Sequence, residues 1–122
     1  MLSFPPAVRI FLCTRPIDCR LGFDRLAQLV REHLGQDPLQ GHLFVFRNKK
    51  GDRLKVLARD RDGYCLWYKR LELGRYVWPT PADRHRPCGA DGLEIPAADL
   101  VMLLDGVDLD HVRRRPRYRR PA

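Results

Sequence analysis

With 122 residues, 44% of them apolar and 31% charged, the chain is long enough for one domain with one modest core and too short for two. Its formal charge of +8 is uneven: Arg113, Arg114, Arg115, Arg117, Arg119 and Arg120 crowd into an end without acid, and residues 1–111 net only +2. No stretch approaches the roughly 20 apolar residues that span a bilayer, and the start MLSFPPAVRIFLC lacks the basic and apolar regions of a secretion signal, so a cytoplasmic protein with reduced thiols is expected.

Residues 7–13, AVRIFLC, form a short β-branched and aromatic run that ends before Pro16 and predict a first strand. Asp18 follows as a natural N-cap, and Phe23, Leu26, Leu29, Val30 and Leu34 then recur at three-to-four-residue spacing up to Gly35. This is the pattern of an amphipathic helix of about three turns. From 42 to 79 the period changes to two. HLFVFRN, the turn KKGD and RLKVLA read as a hairpin, YCLWYKRL as a third strand, and RYVW, stopped by Pro79, as a fourth. Residues 80–92, rich in Pro, Gly and charge, read as a loop, within which His85 is expected to be mobile. Pro96 opens a short apolar run that Gly106 closes, the signature of a second helix. Residues 112–122, a run of Arg broken by Pro116 and Pro121, cannot bury apolar area and read as a disordered basic tail beyond a single domain of residues 1–111. The expected fold is α+β: an amphipathic helix packed on a four-stranded antiparallel β-meander, with a short N-terminal strand and a short C-terminal helix.

Facing strands must agree about which side is buried. Pairing Phe46 with Leu54 and Phe44 with Val56 places Phe44, Phe46, Leu54, Val56 and Ala58 on one apolar face. Continuing that phase adds Tyr64, Leu66 and Tyr68, with Tyr68 and Trp78 read as core. The opposite face then carries Arg47, Arg53, Lys55, Arg59 and Lys69 around Trp67, interleaved with Leu43, Val45 and Leu57. A charged platform with one aromatic is what tracks a phosphate backbone and stacks a base. Lys49 and Lys50 at the hairpin tip extend it, as does the tail through Arg113, Arg114 and Arg115. The competing reading is a solvated face covered by long Lys and Arg stems.

Catalytic signals are absent. Cys13, Cys19, Cys65 and Cys88 form no CxxC pair and no zinc-finger spacing, which leaves buried thiols acting as small hydrophobes and no metal site. Asp18, Asp24, Asp60 and Asp62 have caps, turns and a wet helix face as their explanations, and Gly51, Gly63 and Gly74 close turns where a phosphate loop would need them clustered. No enzyme and no cofactor are expected.

Three gapped strings are specific: D-x-R-x-G-F-D at the helix entry, H-L-F-V-F-R-N-K-K-G-D at the hairpin, and L-W-Y-K-R-L-E-x-G-R-Y-V-W-P after it. With the ending L-L-D-G-V-D-L, they make residues 7–109 resemble the accessory protein of insertion sequences of the sixty-sixth numbered family. That protein is the product of the second open reading frame, often called TnpB and unrelated to the RNA-guided nucleases that share the label. The resemblance implies a part in DNA transposition beside a separate DDE-type transposase, without catalytic residues to carry over. The expected partners are DNA at the element ends, the transposase, or both, with no membrane contact. An alternative is a protein adaptor that meets the transposase through aliphatic patches such as Leu43, Val45 and Leu57. Oligomeric state stays open.

Overall fold

The computed structural model describes residues 7–108 and 113–114. Its centre is the strand β1 (Ile10–Cys13), all four of whose side chains are buried. A strand reads as an unbroken apolar run when both its faces are covered. Here Ile10 and Leu12 point into one core, Phe11 and Cys13 into another on the opposite side of the sheet. β1 pairs parallel with β2 (Leu43–Arg47), and parallel neighbours need a long crossover. The helix α1 (Phe23–His33) and the 3₁₀ turn Pro38–Gln40 supply it.

From β2 the chain folds into β3 (Arg53–Arg59) and β4 (Tyr64–Arg70), each antiparallel to the one before. β5 (Arg86–Cys88) and β6 (Gly92–Ile95) form a second hairpin, and β6 lies antiparallel to β1. The result is a six-stranded mixed sheet in the order β4-β3-β2-β1-β6-β5. The helix α2 (Ala97–Asp105) follows, closed by Gly106 in the left-handed conformation. Beyond it β7 (Val107–Asp108) pairs with β8 (Arg113–Arg114) as a small separate ribbon. No helix among the described residues is long and apolar enough to cross a membrane.

The α+β class stands, and the four-stranded meander is corrected. Three of its strands are β2, β3 and β4. The fourth, residues 75–78, is not a strand, because Tyr76 is buried and its N–H donates to the Gly51 carbonyl, which draws the segment across the sheet. The N-terminal strand is central, and the expected loop 80–92 contains β5 and the start of β6.

Each face of the sheet has its own helix. On the first, Leu26, Ala27, Val30 and Leu34 of α1 cover Phe11, Phe44, Phe46 and Leu57, with the Phe11 and Phe44 rings stacked at 5.6 Å. On the second, Leu100 and Leu103 of α2 cover Ile10, Leu12, Val45, Val56 and Leu93. Helix α1 starts later than its sequence pattern indicates: Gly22 is its N-cap, and Phe23, expected in the buried stripe, is 46% exposed.

Candidate nucleic-acid interface

The β2–β3 hairpin is organised by Asn48. Its side-chain oxygen accepts from the Gly51 and Arg53 N–H groups, each at 3.0 Å, and its amide donates to Asp52 at 2.7 Å, a bond that holds the Asp52 carboxyl below its ordinary pKa. Gly51 takes φ 81°, which the turn requires and an L side chain resists. The loop between Asn48 and Arg53 therefore has an even number of residues, and the register is Phe44 with Leu57, Val45 with Val56 and Phe46 with Lys55. This differs by one residue from the pairing expected from sequence, and a one-residue slip moves a strand's side chains to the other face.

The single basic platform is accordingly divided. Arg47, Trp67 and Lys69 share the face that α2 covers, while Arg53, Lys55 and Arg59 share the face that α1 covers. Leu43, Val45 and Leu57, expected as a solvent-facing adaptor patch, are core residues. Tyr68, expected in the core, is 46% exposed.

Several of the nominated cations have structural partners. Lys55 is buried, its Nζ donating to the Leu21 carbonyl at 2.9 Å and lying 4.6 Å from the centre of the Tyr68 ring. Arg47 is half-buried over Trp78 and donates to the Thr14 carbonyl, and burial lowers its pKa. Arg59 lies over Tyr64 and donates to the Asp60 carbonyl. Trp67 packs against the α2-side core. Lys69 is exposed on that same side, away from the hairpin cations. In the tail, Arg113 and Arg114 are the backbone of β8, and Arg115 lies outside the described residues.

Two open depressions flank the hairpin, and they share one residue. The first, about 350 Å³, lies between the turn before α1 and the hairpin tip and is lined by Asp18, Arg20, Asn48, Lys49, Lys50 and Arg53 among others. The second, about 320 Å³, is lined by Arg53, Tyr68, Arg70 and Glu72. Arg53 joins them, its guanidinium donating to the Tyr68 hydroxyl at 3.1 Å. A band of Arg20, Lys49, Lys50, Arg53 and Arg70 with the exposed Tyr68 ring thus runs over the hairpin end of the α1 face. Sequence reasoning named Lys49, Lys50 and Arg53 and missed Arg20, Tyr68 and Arg70.

The band has internal counter-charges. Asp18 accepts from the Arg20 guanidinium at 2.8 Å and from the Arg20 N–H at 2.9 Å, and those bonds lower its pKa to about 2. Lys50 lies 3.9 Å from Asp52, and Arg70 lies 3.2 Å from Glu72. Lys49 makes no ion pair among the described residues. Chemically the band can hold a chain of phosphates by charge and receive one base or sugar on Tyr68.

The histidine expected to be mobile is locked. The His85 ring is fully buried, with Nε2 2.7 Å from Asp99 and Nδ1 accepting from the Ala82 N–H, while Arg84 Nε donates to the same Asp99 oxygen at 2.8 Å. This fastens the segment before β5 to the first turn of α2. Of the cysteines, Cys13 and Cys19 are buried and Cys65 is exposed. Burial raises the Cys13 and Cys19 thiols above their usual pKa.

A family model described as "IS66 Orf2 like protein" matches residues 8–114. Two proteins of Sinorhizobium fredii are similar over nearly their whole length. "Uncharacterized protein y4hO" is 42% identical over 91% of this chain and 90% of the relative, and "Uncharacterized protein y4jC" is 37% identical over 100% and 97%. No solved structure matches.

Proposed function

Because this chain belongs to the IS66 Orf2-like family of transposition-associated accessory proteins, we propose that it assists transposition by docking nucleic acid on the band around the β2–β3 hairpin. The observation that carries this reading is the convergence of Arg20, Lys49, Lys50 and Arg53 on one depression, continued through Arg53 to Tyr68 and Arg70. Its contribution is positional and electrostatic. Long cations on a braced hairpin neutralise phosphates and release counterions, and an adjacent tyrosine gives a surface for stacking. Nothing in this role requires a bond of the nucleic acid to be made or broken.

Fluorescence anisotropy with labelled duplex from an element end, across a potassium chloride series, tests it. Each phosphate contact contributes about 0.9 to the slope of log affinity against log salt. Replacing Lys49, Lys50 and Arg53 by Ala should weaken binding and reduce the slope by roughly 2 to 3. Replacing Arg25 and Arg31, exposed on the outer side of α1, should leave it nearly unchanged. Equal slopes for all three proteins would remove the hairpin from the interface.

A second surface supports contact with the transposase. Helix α2 buries Leu100 and Leu103 inward yet leaves Val101 47% and Met102 39% exposed on its outer side. Apolar side chains on an otherwise wet helix face suit a protein partner.

A further inference from the structure

The sheet ends on two unlike edges. β5 has three residues with Pro87 in the middle, and short strands bearing proline resist further pairing. β4 has seven residues, pairs with β3 without a bulge from Tyr64 to Arg70, and contains no proline. Among the described residues no strand lies beyond it.

Two hydrogen bonds fix the direction of its backbone groups. The Asp60 N–H donates to the Gly63 carbonyl at 2.9 Å, and the Leu71 N–H donates to the Asp52 carbonyl at 2.7 Å. Bonded pairs in an antiparallel ladder recur at every second residue. Cys65, Trp67 and Lys69 therefore turn their N–H and C=O groups toward β3, and Tyr64, Leu66, Tyr68 and Arg70 turn theirs outward along an open edge.

The charge pattern of that edge is polar end to end. Asp60 and Asp62 lie in the turn at its start, Lys69 and Arg70 at its finish, and the middle, Tyr64 to Tyr68, has no charge. Edges that repel pairing place charge in mid-strand, and this one does not. An antiparallel neighbour of the same sequence sets the end of each strand that follows Asp60 and Asp62 beside the end of the other that carries Lys69 and Arg70, the latter already ion-paired to Glu72.

We propose that β4 pairs antiparallel with β4 of a second copy of this chain, about a two-fold axis at Trp67, so that one sheet runs unbroken through a homodimer. The outward groups fix the register. Tyr64 opposes Arg70 of the other copy and Leu66 opposes Tyr68, so every outward donor and acceptor finds a partner. On the α2 side Trp67 meets its own counterpart and Cys65 meets Lys69. No two like charges oppose each other along the ladder, and the Tyr64–Arg70 pair brings a guanidinium against a ring. A slide of two residues keeps the hydrogen-bonding phase but leaves Tyr64 or Arg70 off the ladder. The dimer does not depend on the nucleic-acid reading, since it uses backbone edge and not the hairpin depression.

Sedimentation equilibrium of the full chain, free of nucleic acid, should give twice the chain mass. The Leu66→Pro variant loses an N–H that has no partner among the described residues of one copy, so the β3–β4 ladder survives while the new one is interrupted. Self-association should weaken at least tenfold with an unchanged circular dichroism spectrum. In a Cys65→Ser background, Trp67→Cys should yield a disulfide-linked dimer under mild oxidation, because residues facing each other in a non-hydrogen-bonded pair lie about 4.5 Å apart at Cα, within disulfide reach. Lys69→Cys in that background should not, since its counterpart is residue 65. Should Leu66→Pro fail to fold, the cross-linking pair decides alone. A wild-type chain that stays monomeric at about 100 μM, well above the micromolar range of a specific contact, overturns the proposal. So does a dimer that Leu66→Pro leaves intact while Trp67→Cys fails to cross-link.

Discussion

Asp18 and Arg20 are two positions apart in the chain and bound to each other through both guanidinium and backbone. The Asp18 carboxyl is held at about 2, so its charge is lost only as the pH falls through that value, and at neutral pH it cancels Arg20. Asp18→Asn removes the charge and keeps a side-chain oxygen for the Arg20 N–H. If the depression holds phosphates, this variant should bind duplex a few-fold more tightly at low salt, with a slope steeper by up to about 1. The anisotropy titration reads both, and weaker binding would mean that Asp18 positions Arg20 for the ligand. Lys55 shows the opposite relation between charge and availability. Sequence alternation places it in a solvent-facing row, yet its side chain is buried and its ammonium lies by the Tyr68 ring and donates to the Leu21 carbonyl. A long cationic side chain can bury everything but one hydrogen bond, and no periodicity distinguishes that from exposure.

The junction of α1 with the segment after β5 is a close backbone contact between elements. Gly89 takes φ 58°, and a Cβ there would lie 2.5 Å from the His33 carbonyl oxygen and 2.6 Å from the Leu34 carbonyl carbon. Neither neighbour is the end of a flexible side chain. The left-handed conformation costs an L residue roughly 1 to 2 kcal/mol, and displacing packed backbone adds a comparable amount. Gly89→Ala should therefore lower stability by about 2 to 4 kcal/mol, read as a drop in the urea midpoint with little change in m. A loss within the usual surface range, about 0.5 kcal/mol, would show that the loop simply lifts away. Elements with strong periodicity, namely α1, β2, β3, β4 and α2, were legible in the sequence. β5 and β6 were not, because RPC and GLEI are too short to show alternation and sit among Pro, Gly and charge. Residues 75–78 misled for the converse reason: a β-rich run packs equally well as extended chain crossing a face. The register slip came from the hairpin turn, where Asn48 and Gly51 set an even loop that hydrophobic matching alone does not reveal.

At the scale of the whole molecule, the decisive feature is that the sheet is buried on both sides, with α1 on one and α2 on the other. The sequence pattern implies one wet face, and the platform expected on that face divides because its residues alternate between the two faces. Lys49 and Lys50 at the hairpin tip are exposed whichever face is which. The same layering separates the two surfaces proposed for nucleic acid and transposase: the cationic band lies on the α1 side, and Val101 and Met102 lie on the α2 side. Contacts on opposite sides of a rigid sheet should be independent. Replacing Val101 and Met102 by Gln leaves net charge untouched, and exposed positions tolerate such changes to within about 0.5 kcal/mol. That variant should keep the full salt slope for duplex while losing co-purification with the transposase from nuclease-treated extract. Burial of each apolar side chain is worth roughly 1.5 to 3 kcal/mol, so the loss should exceed tenfold. The Lys49, Lys50 and Arg53 triple variant should show the reverse pattern. If either variant abolishes both activities, the transposase and the nucleic acid reach this protein through one shared surface, and the separation by layers fails.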